Sequence, residues 1–163
     1  MKTLLIPALL AAAGAARAHI TLEQPEAEAG KPYKAVLRVG HGCEGGAATK
    51  EIVVTLPPAL ARTKPVPKAG WTLALKRDGD AVTQVRWTAN TEADYLQDAW
   101  YDEFTLRTMP AAAGTLWLQV RQVCTTGEAN WAEIPASPTD KPLAPALRLV
   151  VKPAGGDAAP HAH

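Results

Sequence analysis

The chain has 163 residues, 47% of them hydrophobic, and 17 Lys plus Arg against 16 Asp plus Glu, a formal net charge of +1. That length suits one domain with a full core. The charge balance offers no basic surplus for nucleic acid or an anionic membrane surface.

Residues 1–18 read as a secretory signal peptide. Lys2 opens it, an apolar run follows from Leu4 to Ala13, and Ala16-Arg17-Ala18 fits an A-x-A cleavage pattern. Cleavage after Ala18 removes Lys2 and Arg17, so Lys plus Arg falls from 17 to 15 against 16 acidic residues, a net charge of −1. No later apolar run reaches the roughly 18 residues of a membrane span. The expected product is periplasmic or secreted, with no nucleic-acid partner and no membrane span once the signal is removed.

Ile20-Thr21-Leu22 alternates as a short first strand, broken by Pro25 and the stretch from Glu26 to Lys31. Lys34 to Val39 is a second strand. Gly40-His41-Gly42-Cys43-Glu44-Gly45-Gly46 follows, a loop whose glycines allow unusual backbone angles and close approach to a ligand. Glu51 to Leu56 is β-branched and stops at Pro57-Pro58, so it is a strand. Residues 57–70 carry Pro57, Pro58, Pro65 and Pro67 and read as an irregular crossing. Trp71 to Lys76 and Ala81 to Trp87 flank Arg77-Asp78-Gly79-Asp80, a hairpin signal. Asn90 to Asp102 is a polar connection with room for a short helical turn. Phe104 to Met109, Thr115 to Val123 and Leu147 to Val151 complete about eight strands, with a loop from Thr125 to Pro145. This pattern predicts an all-β, two-sheet antiparallel sandwich, immunoglobulin-like or cupredoxin-like, over residues 19–152. Residues 153–163 are a small, polar, flexible tail carrying His161 and His163.

Cleavage would make His19 the first residue. Its α-amino nitrogen and imidazole Nδ1 can then close a chelate ring on one metal ion. Such nitrogens suit Cu(II), and an amine titrating near pH 8 yields its proton readily at neutral pH. In an oxidising compartment the two cysteines, Cys43 and Cys124, are expected to form one disulfide. The alternative, a cysteine metal site, lacks a C-x-x-C spacing. A disulfide would gather the glycine loop, with His41 and Glu44, and the late loop with Trp131 and Glu133 at one end of the sandwich. No Ser-His-Asp pattern, G-x-S-x-G elbow or phosphate-binding glycine loop is present, so no catalytic residue is assigned.

Several of these features together resemble a known family. They are His19-Ile20-Thr21-Leu22 with Pro25 and Gly30, Glu44 ahead of Ala48-Thr49-Lys50-Glu51-Ile52-Val53-Val54, Gly70-Trp71, Val85-Arg86-Trp87 and Trp131. From His19 to about Val151 the chain is similar to the YcnI-like family of exported copper-binding proteins, immunoglobulin-like sandwiches with a monohistidine brace. The resemblance implies copper held by both nitrogens of His19 and by Glu44, with Trp131 nearby as an axial or outer neighbour. It implies a Cu(II) chaperone or copper homeostasis factor rather than an enzyme, with copper and another copper-handling protein as partners. His41 departs from the simplest family pattern and stands as a possible additional ligand or gate. The alternative function is a copper oxidase of the lytic polysaccharide monooxygenase type, with His19 and His41 as a two-histidine brace. His161 and His163 read either as a loose copper-collecting arm or as an inert tail.

Overall fold

Period-two alternation of apolar residues builds the sandwich, because it turns one face of each strand toward a common core. The computed structural model describes residues 19–137 and 139–155. The signal-peptide and tail-histidine readings therefore lie outside the described residues. Among these, eleven strands form two sheets. They are β1 (Thr21–Leu22), β2 (Glu26–Glu28), β3 (Tyr33–Val39), β4 (Thr49–Thr55), β5 (Leu60–Pro65), β6 (Trp71–Asp78), β7 (Ala81–Ala89), β8 (Asp102–Pro110), β9 (Gly114–Cys124), β10 (Glu128–Trp131) and β11 (Leu147–Lys152). The smaller sheet runs β1-β3-β8-β5. The larger runs β2-β11-β9-β4-β7-β6, with β10 also on β9. Every pairing is antiparallel except β2 with β11, which is parallel.

The core lies between the sheets. The smaller sheet contributes Leu22, Ala35, Leu37, Phe104 and Leu106, and the larger Ile52, Val54, Val85, Trp87, Leu118, Val120 and Leu149. Phe104 bridges the layers: its ring meets Trp71 at 5.1 Å and Trp87 at 5.5 Å, both edge to face. That geometry sets the positive ring edge against the negative face. The buried Trp87 indole donates to the Val66 carbonyl at 3.2 Å, so its one polar atom is satisfied.

Three short strands occupy stretches that read as irregular. β5 lies at the free edge of the smaller sheet, where Pro65 removes no needed hydrogen bond. Its register with β8 slips between Ala61 and Lys64, and Arg62 there has φ of 53°. β2 covers the edge of β11, and β10 lies beside the last residues of β9. All three take strand form from a neighbour's open hydrogen-bonding edge rather than from their own alternation. The expected helical turn is present at Glu92–Asp94, closed by a capping box between Thr91 and Asp94.

Cys43 and Cys124 form a disulfide with Cα atoms 6.0 Å apart, closing a sequence separation of 81 residues. A closed loop of that length restricts the unfolded chain by an amount worth about 4 kcal/mol on the chain-entropy model. The double variant Cys43→Ser, Cys124→Ser should therefore keep its β-sheet circular dichroism but lose up to about 4 kcal/mol in denaturant unfolding. Unchanged stability would show that the bridge does not restrain the unfolded chain.

Candidate metal centre

The site lies at the end of the sandwich where β3 leaves and β9 arrives. Residues 19–22 alternate outward and inward: His19 and Thr21 are exposed, Ile20 and Leu22 buried. Thr21 pairs with Arg38 and Leu22 with Leu37, so the chain preceding β1 runs toward the end of β3 and its glycine loop. Three further contacts clamp this segment. Glu23 N–H donates to Val36 O at 2.9 Å, Glu23 pairs with Arg38 at 2.9 Å, and the Tyr33 hydroxyl donates to Gln24 O. Burial, with the Glu23 charge nearby, pushes the Tyr33 phenol up to about 12. It stays a neutral donor throughout the physiological range.

The glycine loop carries the chain from the smaller sheet to the larger. Glu44–Gly46 form one 3₁₀ turn, and Gly45 and Gly46 both have φ of 76°. Cys43 N–H donates to Ala47 O at 2.9 Å, and Gly46 N–H to Cys43 O at 3.1 Å. Gly42 N–H donates to the Asp98 carboxylate at 2.9 Å. Asp98 is delivered by Leu96, which exchanges both backbone hydrogen bonds with Thr49. The buried Gln122 amide donates to His41 O at 2.8 Å and to Thr49 Oγ1 at 2.7 Å. The His41 Nδ1 contacts the Gly42 carbonyl; in the neutral ring it is the donor there, leaving Nε2 as the acceptor nitrogen.

These elements enclose a cavity of about 550 Å³. His41, Glu44, Asp98, Glu128 and Trp131 line it. Trp131 ends β10 opposite Val120 and is only 4% exposed. The His19 ring lies against it, 5.3 Å between centroids and tilted by 55°. Its indole Nε1 is buried without a hydrogen-bond partner. The structure thus brings His19 to Trp131, and Trp131 to the cavity that His41, Cys43 and Glu44 also line. Glu133 does not line it: its backbone is engaged with Ala144 and Ala146. Sequence reasoning missed Asp98 and Gln122. Gln122 carried one signal, a polar residue in the inward-facing row of Leu118, Val120 and Cys124.

The last described residues lie at the opposite end of the sandwich. β11 runs against β9, with Leu147 opposite Leu118 and Val151 opposite Gly114. Gly155 N–H donates there to Glu28 at 3.1 Å. The span from Gly114 to Cys124 is about 33 Å at strand rise.

A family model described as "Domain of unknown function (DUF1775)" matches residues 19–151. The chain belongs to the DUF1775 family. The match covers the stretch that carries the YcnI-like resemblance. Among solved structures, an uncharacterized protein from Nocardia farcinica with an immunoglobulin-like fold is 28% identical to this DUF1775 chain. It covers 82% of this chain and 97% of its own, with a TM-score of 0.71. The cohesin module of a family 33 glycoside hydrolase from Clostridium perfringens shares the fold alone. Its identity is 9%, its coverage 83% and 96%, and its TM-score 0.51. No curated protein matches the chain.

The glycine loop makes one sharp demand. A Cβ on Gly42 would lie 2.1 Å from the Ala47 carbonyl oxygen, whereas one on Gly40 would meet nothing within 4 Å. Gly42→Ala should therefore cost about 2–4 kcal/mol and disturb the loop amides in NMR spectra. Gly40→Ala should stay within about 0.5 kcal/mol of the parent protein. Equal stability of the two variants would contradict this packing.

Proposed function

We propose that this DUF1775 protein is an exported copper-binding protein, a Cu(II) chaperone or copper homeostasis factor. It holds the ion through the amine and imidazole of a processed His19 and through the Glu44 carboxylate. The observation that supports the reading is the contact of the His19 ring with Trp131, which lines the same cavity as Glu44.

The donor chemistry fits the residues present. Among the described residues, no three His, Cys, Asp or Glu side chains come together as a metal cage. A terminal histidine does not need one, since its amine is the second nitrogen. Glu44 is exposed on a tethered turn, so its carboxylate can reach a ligand without leaving a packed core. It would also offset part of the ion's charge. Trp131 would shield one side from water and offer its ring face to the cation. One exposed terminal residue and one exposed carboxylate can be exchanged for a recipient's ligands, as delivery to another copper-handling protein requires.

Protein beginning at His19 should bind Cu(II) one to one. Retaining Ala18 should weaken binding at least about a hundredfold, because an amide replaces the basic amine and the chelate ring is lost. Isothermal titration against a competing chelator reads this difference, and equal affinity of the two forms would sink the terminal-amine site.

Glu44→Gln should lower copper affinity about tenfold or more while leaving thermal unfolding unchanged. His41→Ala should bind nearly as well as the parent. His41 lines the same cavity, so the reverse result, with copper lost only in His41→Ala, favours the two-histidine oxidase reading. Electron paramagnetic resonance separates them, because a second imidazole adds nitrogen hyperfine coupling.

A further inference from the structure

We infer that two copies of this chain pair edge to edge through β6, antiparallel, about a two-fold axis at Ala74. The inference stands apart from the copper reading, since no β6 residue lines the cavity.

The first ground is an open edge. Four strands end the two sheets: β1, β2, β5 and β6. β1 has 2 residues and β2 has 3, while β5 has 6, broken by a register slip and ended by Pro65. β6 has 8 residues and no proline. Among the described residues its only backbone partners are β7 and a single bridge between Trp71 and Lys68. A long edge of this kind is a template for another strand unless something guards it.

The second ground is the direction of its backbone groups. Asn90 N–H donates to Gly70 O at 2.8 Å, so residue 70 faces the end of β7. Trp71 N–H turns the other way, to Lys68 O at 3.1 Å. Alternation then aims the N–H and C=O groups of Thr72, Ala74 and Lys76 at β7, and those of Leu73 and Leu75 at solvent. The register against β7 shifts just after Lys76, and a bulge twists the chain away from a straight ladder. The usable edge therefore runs from Thr72 to Lys76, and its midpoint is Ala74.

Self-pairing about that midpoint matches the side chains. Leu73 falls opposite Leu75 of the second copy, and Leu75 opposite Leu73. Both are hydrogen-bonded pairs, so four backbone bonds form. These leucines share the inward row of the buried Trp71, yet Leu75 is 37% exposed and Leu73 only half-buried. An axis at Leu75 would instead set Leu73 against Arg77. An axis at Leu73 would need the Trp71 N–H that Lys68 O already holds.

The third ground is charge. Lys76 is exposed and joins no ion pair among the described residues. Position 70 shares the face of Thr72, Ala74 and Lys76 by alternation. A Cβ on Gly70 would lie 2.3 Å from Asp94 Oδ1, so that carboxylate fills the place of a side chain there. In the pair, Lys76 of the second copy falls opposite Thr72 and diagonal to Gly70, within reach of a long side chain. Each Lys76 thus meets Asp94 of the other copy. The two Lys76 residues stand four positions apart, about 14 Å along the strand. The lysine that would guard a lone edge completes this one.

Sedimentation equilibrium of protein starting at His19 tests the pairing. It should be monomeric at about 5 µM and largely dimeric at about 500 µM, as an interface of one strand pair predicts. Ala74→Cys tests the axis. Opposed residues in a non-hydrogen-bonded pair have Cα atoms about 4.5 Å apart, which suits a disulfide. Under mild oxidation with diamide, Ala74→Cys should give a covalent dimer. Thr72→Cys, on the same face but opposite Lys76, should not. Lys76→Glu should weaken association about tenfold or more, because two opposite-charge contacts become like-charge ones. Monomer throughout the concentration range would overturn the inference. So would a dimer in which Ala74→Cys stays unlinked or Lys76→Glu has no effect, since it would use another face or register.

Discussion

The crossing of the chain from one sheet to the other at residues 40–48 is the constraint on which this end of the molecule depends. β3 belongs to the smaller sheet and β4 to the larger, so the connection must pass over the end of the core. A segment doing so would strand its backbone polar groups unless each found a partner. Here Gly42 N–H goes to Asp98, Cys43 N–H to Ala47, Gly46 N–H to Cys43, and His41 O to Gln122. The disulfide then fastens the crossing to the last residue of β9. With the crossing held, the β9–β10 hairpin can present Trp131 beside it.

β9 shows how the core becomes a site along a single strand. Its inward row runs Leu118, Val120, Gln122, Cys124. The first two fill the apolar core. Gln122 is equally buried, yet its amide donates to both His41 O and Thr49 Oγ1, so it bears no unpaired-donor cost. Trp131 lies opposite Val120 on the neighbouring strand and is almost as buried, but its donor is unpaired. One polar group stiffens the floor of the site. The other leaves a buried donor without a partner beneath its wall.

Much of the sandwich was legible because strands such as β8 and β9 alternate and because Pro or Gly stands beside the ends of several others. β2, β5 and β10 were not, since each owes its form to a neighbour's edge. The site divides the same way. His19 stood out by its position after a cleavage pattern and the two cysteines by chemical type, whereas Glu44 and Trp131 were singled out by the family resemblance. Asp98 did not, because its role is a contact with Gly42 across 56 residues of sequence. Gln122 reaches His41 across 81 residues. A polar residue in a polar turn carries no mark of the amide it will meet, and that meeting is fixed by the pairing of Leu96 with Thr49.

On the proposed reading, the short first strand resolves a conflict that a terminal ligand creates. A chain end frays unless it is tied down, whereas a ligand for a transferable ion must remain exposed. Here the tie begins one residue in: Ile20 and Leu22 enter the core, and Thr21 and Leu22 pair with β3. His19 is thus anchored at the next residue yet lies on the surface against Trp131. Cooperative loss of this arrangement requires pulling two apolar side chains from the core, whereas exchange of the imidazole requires only a rotation about its own side-chain bonds. On the proposed reading, that difference lets the site be preorganised for capture and still release its cargo without unfolding β1.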